Sequence, residues 1–117
     1  MINVSKSAET IQDGIKNMMA GAKEDYAQTM GRNDSAYTRQ KLENYESEIT
    51  VREGKKYIKV IYDRSVFAFI VKEDFKHFKK GDVLKPAGWA APALNQPRGN
   101  VLTGNYPIQW TGPLYLN

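Results

Sequence analysis

All five prolines of this chain lie after Lys85, and this clustering limits what the last part of the chain can fold into. Proline removes backbone donors, so this spacing excludes a long helix and an uninterrupted strand. The segment also holds both tryptophans, Trp89 and Trp110, and its only charge is that of Arg98. Because it is too aromatic and too poor in charge for a solvated linker, we expect residues 86–117 to form an ordered, extended wrap that supplies part of the core.

Three strand-like runs precede this segment: Tyr45–Arg52, Lys55–Tyr62 and Val66–Lys72. Short turns at 53–54 and 63–65 separate them, which is typical of an antiparallel meander. The third run is apolar on both faces and is expected to be the most buried. Residues 73–81 predict one helical turn that ends at Gly81. Asp82–Lys85 predicts a fourth short strand, and Tyr106–Trp110 or Leu114–Leu116 a final edge strand.

An amphipathic helix is predicted over residues 7–26, where apolar residues recur at steps of three and four. Ser5 or Ser7 is the expected cap. Gly14 and Gly21 weaken such a helix, so it depends on docking, either to its own sheet or to another chain. The polar stretch 30–44 predicts a connector with a short second helix, capped by Asp34 or Ser35.

The predicted fold class is therefore α+β, with an N-terminal amphipathic helix packed on an antiparallel β-meander of three to five strands and an ordered Pro/Trp-rich C-terminal wrap. The length of 117 residues predicts a single domain. Residues 1–44 form its helical part, residues 45–85 the meander and residues 86–117 the wrap. No apolar run reaches the length of a membrane helix, so no membrane contact is expected.

Few residues offer catalytic or metal-binding chemistry. The chain has no cysteine and one histidine, His77, and it lacks a glycine-rich phosphate loop. No pair of acids is placed across a cleft by the predicted elements. We therefore expect no enzyme activity, no catalytic residue, no cofactor and no metal site.

The positive charge lies in the second half of the chain. Residues 1–50 carry six basic and eight acidic side chains, a balance of −2, and residues 51–117 carry eleven basic and five acidic ones, a balance of +6. A basic half of this kind suits either a polyanionic partner or a solvated lysine-rich sheet edge. The candidate nucleic-acid contacts combine lysines with a tyrosine that can stack on bases: Lys55, Lys56, Tyr57, Lys59, Lys79 and Lys80.

A second candidate site lies in the wrap. Arg98 is followed by Gly99 and Asn100, which predict a turn. A lone guanidinium in an uncharged segment needs a fixed partner, either an acid of the sheet or helix or an anionic ligand. The candidate ligand or partner contacts are Lys85, Trp89, Arg98 and Asn100.

The second half of the chain resembles a family. The runs RSVFAFIV, GDVLKPAGWAAPALNQPRGNV and WTGPLYL resemble small uncharacterised proteins of tailed bacteriophages, those of marine cyanobacterium-infecting phages in particular. The resemblance covers residues 64–117 and carries no assigned chemistry. It implies a viral accessory or structural protein in the cytoplasm of the infected host cell or in the virion.

Two functional hypotheses follow. The first is a non-enzymatic interaction module that contacts a protein partner or a second copy of itself through the helix and the aromatic tail. The second is a small nucleic-acid-binding protein that uses a sheet face rich in lysine and tyrosine.

Overall fold

An N-terminal helix packed against antiparallel sheets makes this an α+β protein in the computed structural model, which describes residues 1–31 and 35–114. The elements in chain order are β1 (Ile2–Val4), α1 (Ile11–Met30), α2 (Ala36–Glu43), β2 (Ile49–Glu53), β3 (Tyr57–Tyr62), β4 (Ser65–Val71), β5 (Val83–Leu84) and β6 (Tyr106–Ile108). The four-stranded sheet has the order β2-β3-β4-β5, and β1 pairs with β6 in a separate two-stranded sheet. The predicted fold class is confirmed.

Helix α1 begins later than the sequence predicts. Thr10 is its cap and accepts a hydrogen bond from the backbone nitrogen of Asp13 at 3.1 Å. Ser5 and Ser7 do not cap the helix, because the chain before them is held in β1 and the Ala8 amide donates to the Leu102 carbonyl. Strand β1 was too short to predict.

Helix α2 is capped by Ser35, one of the two predicted residues, whose hydroxyl accepts from the Thr38 amide. The other predicted cap, Asp34, lies outside the described residues. The chain then turns through a short 3₁₀ segment, Glu46–Glu48. The predicted strand from Tyr45 is therefore wrong at its start, because Tyr45 is buried against the rings of Tyr26 and Tyr62 before β2 begins.

The main sheet carries apolar side chains on both faces, and β4 is the most buried of the three runs that the sequence predicted, as expected. On the α1 face, Val60 and Ile70 belong to the larger core cluster with Ile15, Met18 and Ala22 of the helix. On the opposite face, Phe69, Val71 and Leu84 form a smaller cluster with Phe78. The central strands of the sheet are therefore covered on both sides, whereas β2 is mostly exposed.

Residues 73–81 form a tight hairpin in place of the predicted helical turn. The backbones of Phe75 and Phe78 exchange two hydrogen bonds, and Lys76 between them has a φ of 53°. The predicted turn is wrong because the Asp74 and Asp82 carboxylates accept from the backbone nitrogens of Lys80 and Lys79, so that the acids cap a loop and not a helix. The predicted left-handed conformation at Gly81 is confirmed by its φ of 91°.

Residues 86–114 form an ordered wrap, as predicted. Residues 98–101 lie beside 81–83, with Arg98 donating to the Val83 carbonyl and Val101 donating to that of Gly81. Strand β6 continues the wrap and pairs with β1. Three wrap residues are buried in the larger core cluster, namely Val101, Tyr106 and Ile108. The predicted second position for a final strand, Leu114–Leu116, lies partly outside the described residues.

Trp89 departs from the expectation that the aromatic residues of the wrap lie in the core. Its side chain is 51% exposed. It lies at the tip of a narrow loop closed by a bond from the Ala93 amide to the Lys85 carbonyl and by two further bonds to the Ala91 carbonyl. The ring is therefore held at the surface and not in the core.

Candidate partner-binding groove at an open sheet edge

The two edges of the main sheet differ. The β5 edge is covered by the wrap, whose Gly99 carbonyl accepts from the Val83 amide. The other edge is β2, which has a hydrogen-bonded neighbour only on its β3 side within residues 1–31 and 35–114. An exposed edge strand presents unpaired backbone donors and acceptors and can pair with another chain.

The register of β2 shows which backbone groups face outward. Glu48 accepts from the Asp63 amide, and the Gly54 amide donates to the Tyr57 carbonyl, so the even-numbered residues bond to β3. Hydrogen-bonded pairs alternate in an antiparallel ladder. The amide and carbonyl groups of Val51 and Glu53 and the carbonyl of Ile49 therefore point away from β3, toward the open edge, whereas the Ile49 amide donates to the Glu46 carbonyl.

An apolar groove of about 540 Å³ lies between α1 and β2. Its lining is mostly aliphatic and aromatic: Gln12, Ile15, Lys16, Met19, Ala20, Tyr45, Glu46, Ile49 and Val51. Val51 is 48% exposed although it is apolar. The residues whose backbone faces the open edge, Ile49 and Val51, thus also place their side chains in the groove.

Charged groups lie at the rim of this groove. The ammonium of Lys23 donates to the Glu46 carboxylate at 2.8 Å, and this bond lowers the pKa of Glu46. Deeper in the wall, burial raises the pKa of the Tyr45 hydroxyl, which has no hydrogen-bond partner among the described residues. The interior of the groove is therefore apolar and only its rim can pair with charge.

The lysines predicted to contact nucleic acid lie partly together. The ammonium of Lys59 lies 4.4 Å from the ring centroid of Trp89 and 5.7 Å from that of Phe69. The ammonium of Lys56 lies 5.5 Å from the Phe75 ring. This cation and aromatic surface is on the sheet face opposite α1, because Lys59 and Phe69 are paired in the β3–β4 register.

The other predicted nucleic-acid contacts are placed less favourably. The ring of Tyr57 packs edge-on against Phe69 and Phe75, each 5.9 Å away, so it is not a free stacking platform. Lys79 lies 3.7 Å from the Asp74 carboxylate, and Lys80 follows it in the loop. Lys55 is at the tip of the β2–β3 hairpin.

Arg98 and Lys85 hold the end of the wrap. The Arg98 guanidinium donates to the Leu114 and Gln96 carbonyls and to the Asn95 side chain. These partners are neutral, and no acid among the described residues pairs with Arg98, so the first of the two predicted alternatives, an acid of the sheet or helix, is wrong; the wrap supplies carbonyl groups in its place. The Lys85 ammonium donates to the Pro113 carbonyl at 2.9 Å. Burial lowers the pKa of Arg98, and burial followed by the Arg98 charge lowers the pKa of Lys85.

Asn100 fixes a turn. Its amide nitrogen donates to the Lys80 carbonyl and the Asp82 carboxylate, and its oxygen accepts from the amides of Leu102 and Thr103. Both donors and both acceptor positions of the side chain are thereby used. Of the four candidate contacts in the wrap, only Trp89 presents a largely exposed side chain to a partner.

Within residues 1–31 and 35–114, no three histidine or acidic side chains are grouped as metal ligands would be. The ring nitrogen of His77 lies 2.8 Å from the Asn95 carbonyl oxygen, at the surface. No described helix has the length and hydropathy needed to cross a membrane.

Sequence reasoning did not predict the groove. The alternation of Ile49 and Val51 was visible, and so were the paired methionines of the helix. Nothing in the pattern showed that β2 would be the uncovered edge, because that depends on which edge the distant wrap covers.

Helix α1 beside an open edge strand defines an α+β fold with a peptide-sized apolar groove. The chain belongs to a family of unknown function (DUF7717), whose model matches residues 2–116. No curated protein and no solved structure matches it. The family match includes the helical N-terminal part, where the sequence motifs showed no resemblance.

Proposed function

We propose that this chain is a non-enzymatic interaction module that binds an extended segment of a protein along β2. The segment adds to the sheet as a fifth strand, and its alternate apolar side chains enter the groove beside α1. One observation carries this proposal. Ile49 and Val51 supply both the outward-facing backbone groups and the apolar wall of the groove.

The two parts of such a site act differently. Main-chain hydrogen bonds to an edge strand supply affinity, and pockets for alternate side chains supply selectivity. The groove lies on one face of β2, so it accepts every second side chain of an added strand. An apolar segment with small or branched residues at alternate positions fits this lining best.

The test uses a short labelled peptide in which valine and threonine alternate. The amides of Val51 and Glu53 should exchange with solvent more slowly when this peptide is present, whereas the Ile49 amide, which already bonds to the Glu46 carbonyl, should change less. Val51→Lys places a charge in the groove and should abolish this protection, whereas Thr50→Lys, which points to the opposite face, should preserve it. Equal protection in both variants, or none in the parent protein at a dilution where it is monomeric, would contradict the proposal.

Nucleic-acid binding is a second candidate, favoured by the exposed ring of Trp89 above Lys59. Arg52 lies directly opposite Lys59 in the β2–β3 register, so a second cation lies on the same face of the sheet. Proteins that bind single-stranded nucleic acid usually stack its bases on aromatic rings while neighbouring cations pair with its phosphates.

The second candidate is tested by fluorescence anisotropy with labelled oligothymidylate. Binding should weaken steeply as salt rises, and Trp89→Ala and Lys59→Ala should each weaken it. Lys16→Ala, which removes a charge on the groove side, is the control that leaves it unchanged. Absence of binding at low salt removes this candidate.

The origin that the C-terminal motif implies belongs to the same proposal. In this proposal the module is a phage-encoded accessory protein that acts in the cytoplasm of an infected cell or in the virion.

A further inference from the structure

We propose that the segment that occupies β2 is the β2 strand of a second copy of this chain, in an antiparallel pair centred on Thr50. This inference rests on the proposed function, since it names the partner of the same edge and groove. The resulting dimer joins two four-stranded sheets into one continuous sheet with both α1 helices on the same face.

The sequence of β2 and the residue before it, EITVR, is complementary to itself in this arrangement. A two-fold axis at Thr50 places Glu48 opposite the partner's Arg52, Ile49 opposite the partner's Val51, and Thr50 opposite the partner's Thr50. Opposite charges, branched apolar pairs and threonine pairs are each favourable across strands. These three kinds of pair are therefore all favourable.

The hydrogen-bond pattern of β2 permits this register. Ile49 and Val51 would oppose each other as a hydrogen-bonded pair. The Ile49 amide donates to the Glu46 carbonyl within its own chain, so the bond of each pair runs from the Val51 amide to the partner's Ile49 carbonyl. A register centred on Val51 also satisfies the backbone, but it places Ile49 opposite a charged Glu53 and forms no ion pair. The side chains therefore select the axis at Thr50.

A charge conflict within one copy also favours the pairing. Arg52 lies directly opposite Lys59, and like charges at opposed positions of a sheet repel. Neither Arg52 nor Glu48 forms an ion pair with any residue in 1–31 and 35–114. The partner's Glu48 would meet Arg52 on its open side and offset this repulsion.

The groove gives the pairing an apolar component. Ile49 and Val51 of both copies would form one strip between the two α1 helices, covering the exposed side chain of Val51 and the groove wall at Ile15 and Met19. An edge strand with this exposure would otherwise favour aggregation. A closed two-fold pair satisfies both edges and ends the assembly at two copies.

Charge reversal tests the pairing by sedimentation equilibrium over a dilution series. The parent protein should be a dimer that dissociates on dilution, and Glu48→Arg or Arg52→Glu alone should weaken dimerisation at least about tenfold, by removing two ion pairs. An equimolar mixture of the two single variants should dimerise again, because each then meets the opposite charge. The double variant E48R/R52E should also dimerise.

Cysteine cross-linking tests the register. The chain has no cysteine. Thr50→Cys places two thiols opposite each other in a non-hydrogen-bonded pair, where the Cα separation of about 4.5 Å is within the range of disulfides. Mild oxidation should yield a covalent dimer. Val51→Cys is the matched control, since its thiols lie on the diagonal and should not cross-link. Cross-linking of Val51→Cys in preference to Thr50→Cys would overturn the register.

The two proposals fail in different ways. A parent protein that stays monomeric at the highest concentration overturns the dimer, as does a dimer that neither charge reversal affects. If the alternating valine and threonine peptide still protects the β2 amides of that protein, the proposed function stands without the dimer. If it does not, both proposals fall.

Discussion

The Asp25 carboxylate accepts a hydrogen bond from the backbone nitrogen of Trp110 at 2.9 Å, across 85 residues of chain. Asp25 is 2% exposed and lies on α1. Its other oxygen contacts the amino group of Met1. A single buried acid of the helix therefore holds both the start of the chain and the end of the wrap.

Asp25→Ala is expected to destabilise the protein by about 3 kcal/mol, because it leaves a buried amide and a charged amino group without their acceptor. Chemical denaturation measures this loss of unfolding free energy. Asp25→Asn is the matched control, since its side-chain oxygen still accepts from Trp110, and it should lose less. Equal losses would show that the hydrogen bond to the wrap is unimportant.

Gly14→Ala is expected to destabilise the protein, although alanine in a helix is more favourable than glycine by about 1 kcal/mol. A Cβ atom at this position would lie 2.5 Å from the Val101 carbonyl oxygen and 2.7 Å from the Val101 Cβ. The helix and the wrap would have to separate. Thermal unfolding should show a lower Tm.

The control for this prediction is Gln28→Gly, at an exposed position of the same helix, which reports helix propensity alone. It should lose about 1 kcal/mol of unfolding free energy. A raised Tm for Gly14→Ala would mean that the close approach of helix and wrap is not maintained in solution.

The sequence predicted the elements whose signals are local. Alternation and apolar runs predicted β3 and β4, and the helical spacing predicted α1. It did not predict where the wrap would lie, since the contact between Gly14 and Val101 joins distant parts of the chain. From the sequence, Gly14 only lowers helix propensity. In the structure, its lack of a side chain allows helix α1 to pack closely against Val101 of the wrap.

The candidate site residues were predicted only in part, because their partners depend on contacts between distant parts of the chain. Lys85, Arg98 and Asn100 were singled out as unusual residues, and the structure shows that carbonyl groups and turns of the chain itself occupy them. Composition shows that a polar group needs a partner, but only the fold shows whether that partner is internal. The open edge at β2 depends on topology in the same way.

Trp89→Ala is expected to lower the unfolding free energy by only about 1 kcal/mol, since the ring is half exposed and its main contact is the cation of Lys59. Phe78→Ala, at a fully buried ring, is the comparison and should lose about 3–5 kcal/mol. Denaturation curves of the two variants measure the difference. Similar losses would place Trp89 in the core after all.

Alkaline titration is expected to reveal two tyrosines that ionise late. Burial raises the pKa of Tyr45 and of Tyr106 above the ordinary value of about 10. Because the folded state holds these protons more tightly than the unfolded chain, the stabilisation is complete below about pH 10 and is lost as pH rises through the raised pKa values. Near-ultraviolet absorbance of tyrosinate should therefore show a late step that coincides with unfolding.

Tyr106→Phe should reduce the amplitude of that step, while the loss of its unpartnered hydroxyl leaves stability at neutral pH nearly unchanged. A titration in which every tyrosine ionises while the chain is still folded would contradict the burial of these two hydroxyls.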